Sequence, residues 1–179
     1  VFGVILGTGV GGGIVLGGEL VGDGAPRTWD GLQGIAGEWG HVPLEPHTGP
    51  PCYCGRFGCI ETFLCGPALE AEYARRTGRH QPLTAIAAAA EATAPDEAAR
   101  AVIAAACDRF GRAIATVINI LDPEIIVLGG GVSHLSALYT DGVAAAARWV
   151  FSDELVTPIR KHQIGDSAGV LGAALLPAA

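Results

Sequence analysis

The sequence predicts an α/β domain that carries a cysteine-rich loop. Three observations support this prediction: short β-prone apolar runs at the start of the chain, a long alanine-rich helical segment in its second half, and a buried-strand pattern that runs directly into three glycines. The chain has 179 residues, of which 50% are apolar, so it can bury one good core. We therefore expect one domain or slightly more than one.

The first two elements are predicted strands over residues 1–6 and 12–16, joined by a glycine-rich turn. Gly7, Gly9 and Gly11 stand at alternate positions, so the backbone can approach a ligand closely and point its N–H groups at an anion. Two interpretations of this turn remain open. It either binds a phosphate or is a plain hairpin turn, because glycine-rich turns are common.

The loop over residues 41–59 has the strongest chemical pattern in the chain. It contains one histidine and three cysteines, namely His41, Cys52, Cys54 and Cys59. Such a set, with two short cysteine spacings closed by glycines, can place four soft ligands around one tetrahedral metal ion, and zinc is the ion that prefers them. We therefore predict a structural zinc site.

Two alternatives compete with zinc in this loop. A disulfide is disfavoured, because Cys52 and Cys54 are too close in sequence to pair comfortably and a third cysteine would remain over. Reduced core thiols are disfavoured, because the surrounding prolines and glycines favour a loop over a core strand. His47 is the rival of His41 as fourth ligand, although it lies in a proline- and glycine-containing loop. No ligand role is expected for the remaining cysteines and histidines: Cys65, Cys107, His80, His134 and His162.

The second half of the chain has the periodicity of helices. Pro67 and Gly78 mark the two ends of the first helix, and Asp96 places a carboxylate in the first turn of the longest one. An Asp-Pro pair at 122–123 ends that helix before a buried parallel strand. The predicted elements, in order, are helices over about 66–77, 83–92 and 95–121, a strand over 124–128, a helix over about 135–150, a strand near 157–161 and a C-terminal helix over about 168–176.

Charge and composition exclude several classes of function. The formal net charge is −7, and only 11 lysines and arginines are spread along the chain. Nucleic-acid binding needs a basic surface, so we expect none through this segment. The sequence has neither a signal peptide nor a charge-free apolar run of about 18 residues, so no membrane partner is expected. Five cysteines without a secretion signal indicate a reducing compartment, with the cytoplasm as the default location.

The chain contains no methionine and starts directly in an apolar strand-like run. We therefore expect it to be the C-terminal part of a longer protein.

Four segments together resemble the ROK family of bacterial sugar kinases and sugar-responsive repressors. They are the strand end with Gly7-Thr8-Gly9, the Gly-Ile-Ala-Gly-Glu-Trp-Gly-His run over 34–41, the Cys-x-Cys-Gly-x-x-Gly-Cys loop over 52–59, and the Asp-Pro-Glu-Ile-Ile-Val-Leu-Gly-Gly-Gly run over 122–131. The likeness covers nearly the whole chain. The runs over 36–41 and 60–67 are similar to the fructokinase or mannokinase branch in particular.

The resemblance implies a ribonuclease H-like fold of the actin, hexokinase and Hsp70 type, in which two α/β domains clamp ATP and a sugar. Residues 1–179 match only the second of these, the large C-terminal domain. We therefore expect the helix within 168–179 to pack on an N-terminal domain that this segment does not include. A homodimer is also expected.

The implied function is that of the C-terminal part of an ATP-dependent hexose kinase, which transfers the γ-phosphoryl group of ATP to a sugar hydroxyl. Fructose is the leading sugar, and mannose, glucose and an N-acetylated hexosamine are the others. The alternative is the sugar-sensing domain of a ROK transcriptional repressor, with a helix-turn-helix upstream. A zinc-stabilised binding module without catalytic ancestry is the third hypothesis.

The resemblance implies sugar-binding roles for Glu38, His41 and Glu61. Glu38 would accept hydrogen bonds from two sugar hydroxyls, because an ionised carboxylate is acceptor-only; its alternative is a solvated loop acid. One ring nitrogen of His41 would bind zinc and the other a sugar hydroxyl. Glu61 is either a further sugar contact or a surface acid at a helix N-terminus.

For Mg-ATP, the resemblance implies that Gly7, Thr8 and Gly9 hold the β and γ phosphates. A second set of three glycines would let the nucleotide approach the sheet edge: Gly129, Gly130 and Gly131. The family takes its catalytic aspartate and first phosphate loop from the preceding half, so no catalytic residue is expected here and the isolated chain is expected to be inactive. Asp23 and Asp30 lie in glycine-flanked turns, where Asp bonds its own backbone.

Overall fold

The computed structural model describes residues 1–17 and 27–165. Their strands form one five-stranded mixed sheet in the order β3-β2-β1-β4-β5. β2 pairs antiparallel with both β1 and β3, while β4 runs parallel to both β1 and β5. The strands are β1 Phe2–Leu6, β2 Val10–Leu16, β3 Arg27–Thr28, β4 Ile126–Gly129 and β5 Ile159–Lys161. The predicted α/β class is thereby confirmed.

The sheet buries one set of its side chains against the helices. Phe2, Val4 and Leu6 alternate along β1 with more exposed residues, as the period of two in a strand requires. They belong to the same apolar core as Phe110 and Ile114 of the long helix α4, Glu97–Leu121. The core therefore lies between the sheet and α4.

The described residues contain five α-helices: α1 Glu61–Leu64, α2 Gly66–Thr77, α3 Leu83–Glu91, α4 Glu97–Leu121 and α5 Asp141–Ala147. The helices α2, α3 and α4 match predicted helices, whereas the short helix α1 was not predicted. A proline lies in the first turn of α2, and Gly78 ends that helix in the left-handed conformation. Asp96 caps α4 by accepting hydrogen bonds from two backbone N–H groups of its first turn.

The predicted helix over 135–150 is wrong in its first half. Two 3₁₀ turns, Gly131–His134 and Ser136–Tyr139, precede α5 there. Val132, Leu135 and Leu138 are all buried at a spacing of three, which matches the three residues per turn of a 3₁₀ helix rather than the 3.6 of an α-helix. The predicted C-terminal helix over 168–176 lies outside the described residues.

Two contacts hold the helices together. The hydroxyl of Tyr73 donates to the carboxylate of Asp96 at 2.8 Å, and the Arg79 guanidinium contacts the same carboxylate at 2.5 Å. This network joins the C-terminal end of α2 to the start of α4. At the crossing of α4 and α5, Gly111 lies so close to Ala145 that a Cβ on Gly111 would overlap it.

Within the two described ranges, none of the helices combines the length and the apolar character that a membrane span needs.

Candidate functional site

The structure brings together the four predicted metal ligands. The imidazole of His41 and the thiols of Cys52, Cys54 and Cys59 place one ligand atom each within 4.8 Å of all the others. The Sγ atom of Cys52 lies 3.5 Å from Nδ1 of His41, and those of Cys54 and Cys59 are 3.6 Å apart. All five cysteines of the chain are free thiols in this structure.

These separations fit a tetrahedral zinc ion. With Zn–S bonds of about 2.3 Å and a Zn–N bond of about 2.0–2.1 Å, adjacent sulfurs are about 3.8 Å apart and a sulfur and a nitrogen about 3.6 Å apart. The cluster is therefore slightly tighter than a loaded site at its two closest edges. The donor set of three sulfurs and one imidazole nitrogen also suits zinc rather than magnesium or calcium. Nδ1 of His41 is the nitrogen that faces the cluster.

The backbone of the loop explains the glycine and proline residues between the ligands. Gly58 has a φ of 64°, and a Cβ there would overlap the carbonyl of Glu45. Its N–H donates to the Pro50 carbonyl at 2.8 Å, and its own carbonyl accepts from Leu44 N–H at 2.7 Å. Only glycine permits this close packing of two loop segments, which brings Cys59 back to Cys52.

A pair of arginines anchors the loop to the core. The carboxylate of Glu45 lies 3.0 Å from the guanidinium of Arg112 and 3.5 Å from that of Arg109, both on α4. The Arg109 guanidinium also lies over the ring of Phe63, 4.5 Å from its centroid. The cysteine-rich loop is therefore tied to α4, the longest helix among the described residues.

The protonation of two of the thiols differs. A hydrogen bond from the Arg56 backbone lowers the pKa of Cys54 to about 7, which favours the thiolate that a metal needs. Burial raises the pKa of the Cys59 thiol to about 12. A positive metal ion would therefore stabilise the thiolate of Cys59 in particular, because the ion would offset the cost of a buried negative charge.

The Gly-Glu-Trp-Gly-His run over 37–41 packs directly on the β1–β2 hairpin. A Cβ on Gly37, which has a φ of +99°, would overlap the Gly12 carbonyl, and a Cβ on Gly40 would overlap the Val10 carbonyl. Between these glycines, the buried indole of Trp39 donates from Nε1 to the Gly11 carbonyl at 2.9 Å. The run is thereby held in place, and Glu38 is left with an exposed side chain.

Glu61 starts α1 immediately after the last cysteine ligand and reaches the same hairpin. Its Oε2 atom accepts a hydrogen bond from the Val10 N–H at 2.8 Å. A Cβ on Gly9 would come within 2.7 Å of that oxygen, so Gly9 makes room for the carboxylate. Glu61 is half-buried, and it is therefore more than a surface acid at a helix N-terminus.

Tyr53 lies between two of the cysteine ligands, and sequence reasoning did not single it out. Its hydroxyl is 2.8 Å from Nε2 of His41, and the two rings meet edge to face with centroids 5.0 Å apart. The available signal was its position, since it stands between Cys52 and Cys54 in the Cys-x-Cys pair. The outward nitrogen of His41 is thus occupied by a tyrosine.

A cavity of about 680 Å³ opens beside the β1–β2 turn. This volume is in the range of small-molecule and cofactor pockets. Gly7, Thr8 and Gly131 line it, together with the first turn of α2 and one side of α3. The positive end of the 12-residue helix α2 therefore faces the cavity beside the Gly7-Thr8 turn, as in sites that bind phosphates.

Other predicted nucleotide-binding glycines have different surroundings. Gly9 packs against Glu61, as described above. Gly129 lies in β4 and pairs with Ile5, while Gly130 has a φ of 81° and lies so close to the Leu6 carbonyl that a Cβ would overlap it. Gly129 and Gly130 are not among the residues that line the cavity. They let β4 turn tightly away from β1, and this turn delivers Gly131 to the cavity wall.

The remaining candidate residues lie apart from the metal ligands. His47 and His80 are exposed, and His162 is half-buried with its Nδ1 accepting from the Gly165 N–H at 3.1 Å. His134 lines the cavity, with its Nδ1 atom 3.1 Å from the Lys161 ammonium. Asp30 is exposed, and Asp23 lies outside the described residues.

Comparison with known proteins gives one consistent family. The family model described as "ROK family" matches residues 1–179. An N-acetyl-D-glucosamine kinase of Citrobacter koseri is 35% identical over 185 residues, which cover 98% of this chain and 58% of that protein. The chain thus spans less than two thirds of the length of this curated relative.

Solved structures agree with this result. A ROK hexokinase from Thermus thermophilus superposes with a TM-score of 0.82 at 32% identity, covering 97% of this chain and 57% of that one. A ROK glucokinase from Streptomyces griseus, in complex with glucose and AMPPNP, has a TM-score of 0.80 at 27% identity, and the match covers 97% of this chain and 58% of that one. A ROK transcriptional regulator described as a homologue of the Escherichia coli MLC protein has a TM-score of 0.78 at 29% identity, and the match covers 97% of this chain and 44% of that one. The fold is of the actin, hexokinase and Hsp70 type, as expected.

Proposed function

Because this chain belongs to the ROK family, we propose that it is the large C-terminal domain of an ATP-dependent hexose kinase. One observation carries the proposal: the β1–β2 hairpin contacts both candidate subsites. Gly7 and Thr8 line the 680 Å³ cavity, while the backbone of Val10, Gly11 and Gly12 packs against the 37–41 run. A nucleotide in the cavity and a sugar at that run would therefore both lie beside this hairpin.

The proposed sugar subsite consists of an exposed carboxylate, a metal-oriented imidazole and a second carboxylate. Glu38 accepts hydrogen bonds from sugar hydroxyls, and the oxygen of Glu61 that does not bind Val10 is available for another. Zinc, held by His41 and the three cysteines, is structural: it fixes the loop and the tautomer of His41 so that Nε2 faces outward.

The proposed nucleotide subsite is the cavity beside α2. Thr8 and the backbone of Gly7 hold the terminal phosphates, supported by the positive end of the helix, and Gly131 lies on the opposite wall. We assign neither the ligands of the Mg²⁺ that accompanies ATP nor the base that removes the sugar proton to residues of this chain; the full-length protein would supply them. No residue of this chain is assigned as that base, so we propose that the chain alone does not phosphorylate sugar and needs the preceding half.

The sugar is proposed to be an aldohexose of the glucose type. Sequence patterns placed fructose first, with mannose, glucose and an N-acetylated hexosamine after it. The relatives that this chain resembles are named as N-acetyl-D-glucosamine kinase, hexokinase and glucokinase, and these names favour glucose and N-acetylglucosamine as first substrates to test. Fructose and mannose belong in the same panel, because a change of one hydroxyl is discriminated only by pocket contacts.

A repressor is the second candidate function, favoured by the similarity to the ROK transcriptional regulator. In that case the same domain would sense sugar without transferring phosphate. A helix-turn-helix encoded upstream of this segment would support the repressor, and an upstream catalytic aspartate with a phosphate loop would support the kinase.

The deciding experiment uses the full-length protein that contains this chain. Sugar binding is measured by calorimetry and phosphorylation by ATP consumption, with glucose, N-acetylglucosamine, fructose and mannose. Glu38→Ala is expected to weaken sugar binding by about 1–3 kcal/mol, because sugar hydroxyls lose an ionised acceptor. Glu154→Ala, an exposed acid outside the site, is the control and should bind normally. Wild-type affinity in folded Glu38→Ala protein would refute the assignment.

The activity of the parts gives a second test. The 179-residue chain should show no kinase activity, and activity should return when the separately produced N-terminal half is added. Steady phosphorylation of any panel sugar by the chain alone would show that it contains the base. The expected homodimer is checked on the full-length protein by sedimentation equilibrium.

A further inference from the structure

The hydrogen bond between Tyr53 and His41 occupies an atom that the proposed sugar site needs. Nδ1 of His41 faces the metal cluster, 3.5 Å from the Cys52 sulfur. Nε2 is therefore the ring nitrogen left for a substrate, and the Tyr53 hydroxyl lies 2.8 Å from it. A ring nitrogen of imidazole makes one in-plane hydrogen bond, so a sugar hydroxyl and the tyrosine hydroxyl compete for the same position.

Tyr53 is placed among the other proposed sugar-binding groups. It stands between Cys52 and Cys54, and its hydroxyl reaches His41, the residue three positions after Glu38. Glu61 follows Cys59, the last cysteine of the cluster, by two residues. Tyr53 therefore contacts the histidine on which the proposed sugar site depends, although its ring does not belong to the core.

The tyrosine is also free to move away. Its side chain is 84% exposed, so few packing contacts oppose rotation of the ring. The edge-to-face contact with His41, at an interplanar angle of 89°, is a weak interaction compared with the burial of a core aromatic side chain. A sugar hydroxyl that forms its own hydrogen bond with His41 can therefore replace the tyrosine hydroxyl.

We propose that Tyr53 is a specificity-determining residue of the sugar site: in the sugar-free protein its hydroxyl occupies Nε2 of His41, and one particular sugar hydroxyl replaces it on binding. The inference rests on the proposed function. Competition for Nε2 of His41 makes binding selective. A sugar without a hydroxyl at that position leaves Tyr53 on His41 and forms no hydrogen bond there.

The test is Tyr53→Phe in the full-length protein, which removes the hydroxyl and keeps the ring. Loss of the competitor should lower the sugar Kd and KM by about 2- to 10-fold, the value of one hydrogen bond, and leave kcat and zinc content unchanged. Phe57→Leu, at another exposed aromatic residue of the same loop, is the control and should leave sugar binding at the wild-type value.

A series of monodeoxy analogues of the best panel sugar identifies the hydroxyl. The affinity gain of Tyr53→Phe should be present for all analogues except one, and that one lacks the hydroxyl that binds His41. Unchanged or weaker binding of the parent sugar by zinc-loaded Tyr53→Phe protein would overturn the proposal. So would an equal gain for every analogue, since competition at one hydroxyl could not produce it.

Failure of this proposal is distinguishable from failure of the proposed function. If wild-type protein binds a panel sugar and Glu38→Ala weakens that binding, while Tyr53→Phe has no effect, only the role of Tyr53 is refuted. If wild-type protein binds none of the panel sugars, the proposed function and the role of Tyr53 are refuted together.

Discussion

Glu61 and Val10, 51 residues apart in the chain, are joined by a hydrogen bond of 2.8 Å from the Val10 N–H to Oε2 of Glu61. The bond connects the end of the cysteine loop to the turn between β1 and β2. One side chain therefore links the candidate metal centre to the strand that holds the Glu38–His41 run.

This bond predicts different effects for two substitutions of Glu61. Glu61→Ala should lower the free energy of unfolding by about 1–3 kcal/mol, because the N–H of buried Val10 is left without its acceptor. Glu61→Gln retains an oxygen acceptor and should cost less than about 1 kcal/mol. Urea denaturation of both variants at equal zinc occupancy measures the difference. Equal stability of the two variants would show that the hydrogen bond contributes nothing.

From the candidate metal centre we predict that each chain binds one zinc ion. Elemental analysis of protein purified without chelators should show close to one equivalent, bound by His41, Cys52, Cys54 and Cys59. Cys54→Ser should lose both metal and stability, because metal binding contributes directly to the folding of this loop. Cys65→Ala is the control and should retain zinc, since Cys65 is not part of the cluster. Zinc at background level in the wild-type protein would contradict the prediction.

Asp96 predicts an acid-dependent loss of stability. Hydrogen bonds from Tyr73 and from the backbone N–H of Ala99 lower the pKa of its carboxyl to about 2, below the ordinary value of about 3.9. The folded pKa is the lower one, so the ionised carboxylate stabilises the fold above about pH 4. This contribution is lost as the pH falls from about 4 through about 2.

Asp96→Asn tests that contribution, since asparagine still caps a helix but carries no charge for Arg79. The variant should be less stable than the wild type at pH 6, and the difference should shrink as the pH falls towards about 2. Urea denaturation at several pH values measures it. Glu97→Gln, at the neighbouring and more exposed acid, should show no such convergence. A pH-independent difference for Asp96→Asn would contradict the assignment.

At Gly111 in α4 we expect packing to outweigh helix propensity when alanine replaces the glycine. Alanine in place of glycine inside a helix normally stabilises by about 1 kcal/mol. At Gly111 the added Cβ would overlap the side chain of Ala145 and lie 2.6 Å from backbone atoms of α5, which cannot rotate away. Gly111→Ala should therefore destabilise the domain by about 1–3 kcal/mol. Thermal denaturation measures this effect, and Thr116→Ala, on the exposed side of α4, should change stability by less than about 0.5 kcal/mol.

Much of the fold was predictable because local chemistry decides it. Pro67 and Gly78 delimit α2 as predicted, and α4 ends at Leu121 as predicted but begins two residues later, because Asp96 caps it from outside the helix. The predicted helix over 135–150 was wrong in its first half, although its alanine-rich part, residues 144–147, is helical within α5. In the first half, burial of Val132, Leu135 and Leu138 on one side imposes a three-residue repeat. The core on which these residues pack decides their conformation.

The candidate site divides in the same way. The clustering of His41 with Cys52, Cys54 and Cys59 was predictable from residue type and spacing, and their binding of zinc stays a prediction. The surroundings of Gly130 and Gly9 were not, because each is determined by a strand or a side chain distant in sequence. Tyr53 was missed for the same reason, since its importance comes from the atom of His41 that it contacts.

The sequence by itself determined the α/β class, most element boundaries, the four clustered ligand residues and the likeness to the ROK family. These properties depend on residue types at short spacing, and hydrogen-bonding and steric preferences act over a few residues. Only the tertiary structure decided that Glu61 binds Val10, that Gly131 rather than Gly130 lines the cavity, and that Tyr53 occupies His41. Such contacts join distant segments, and the packing of the whole core sets their geometry.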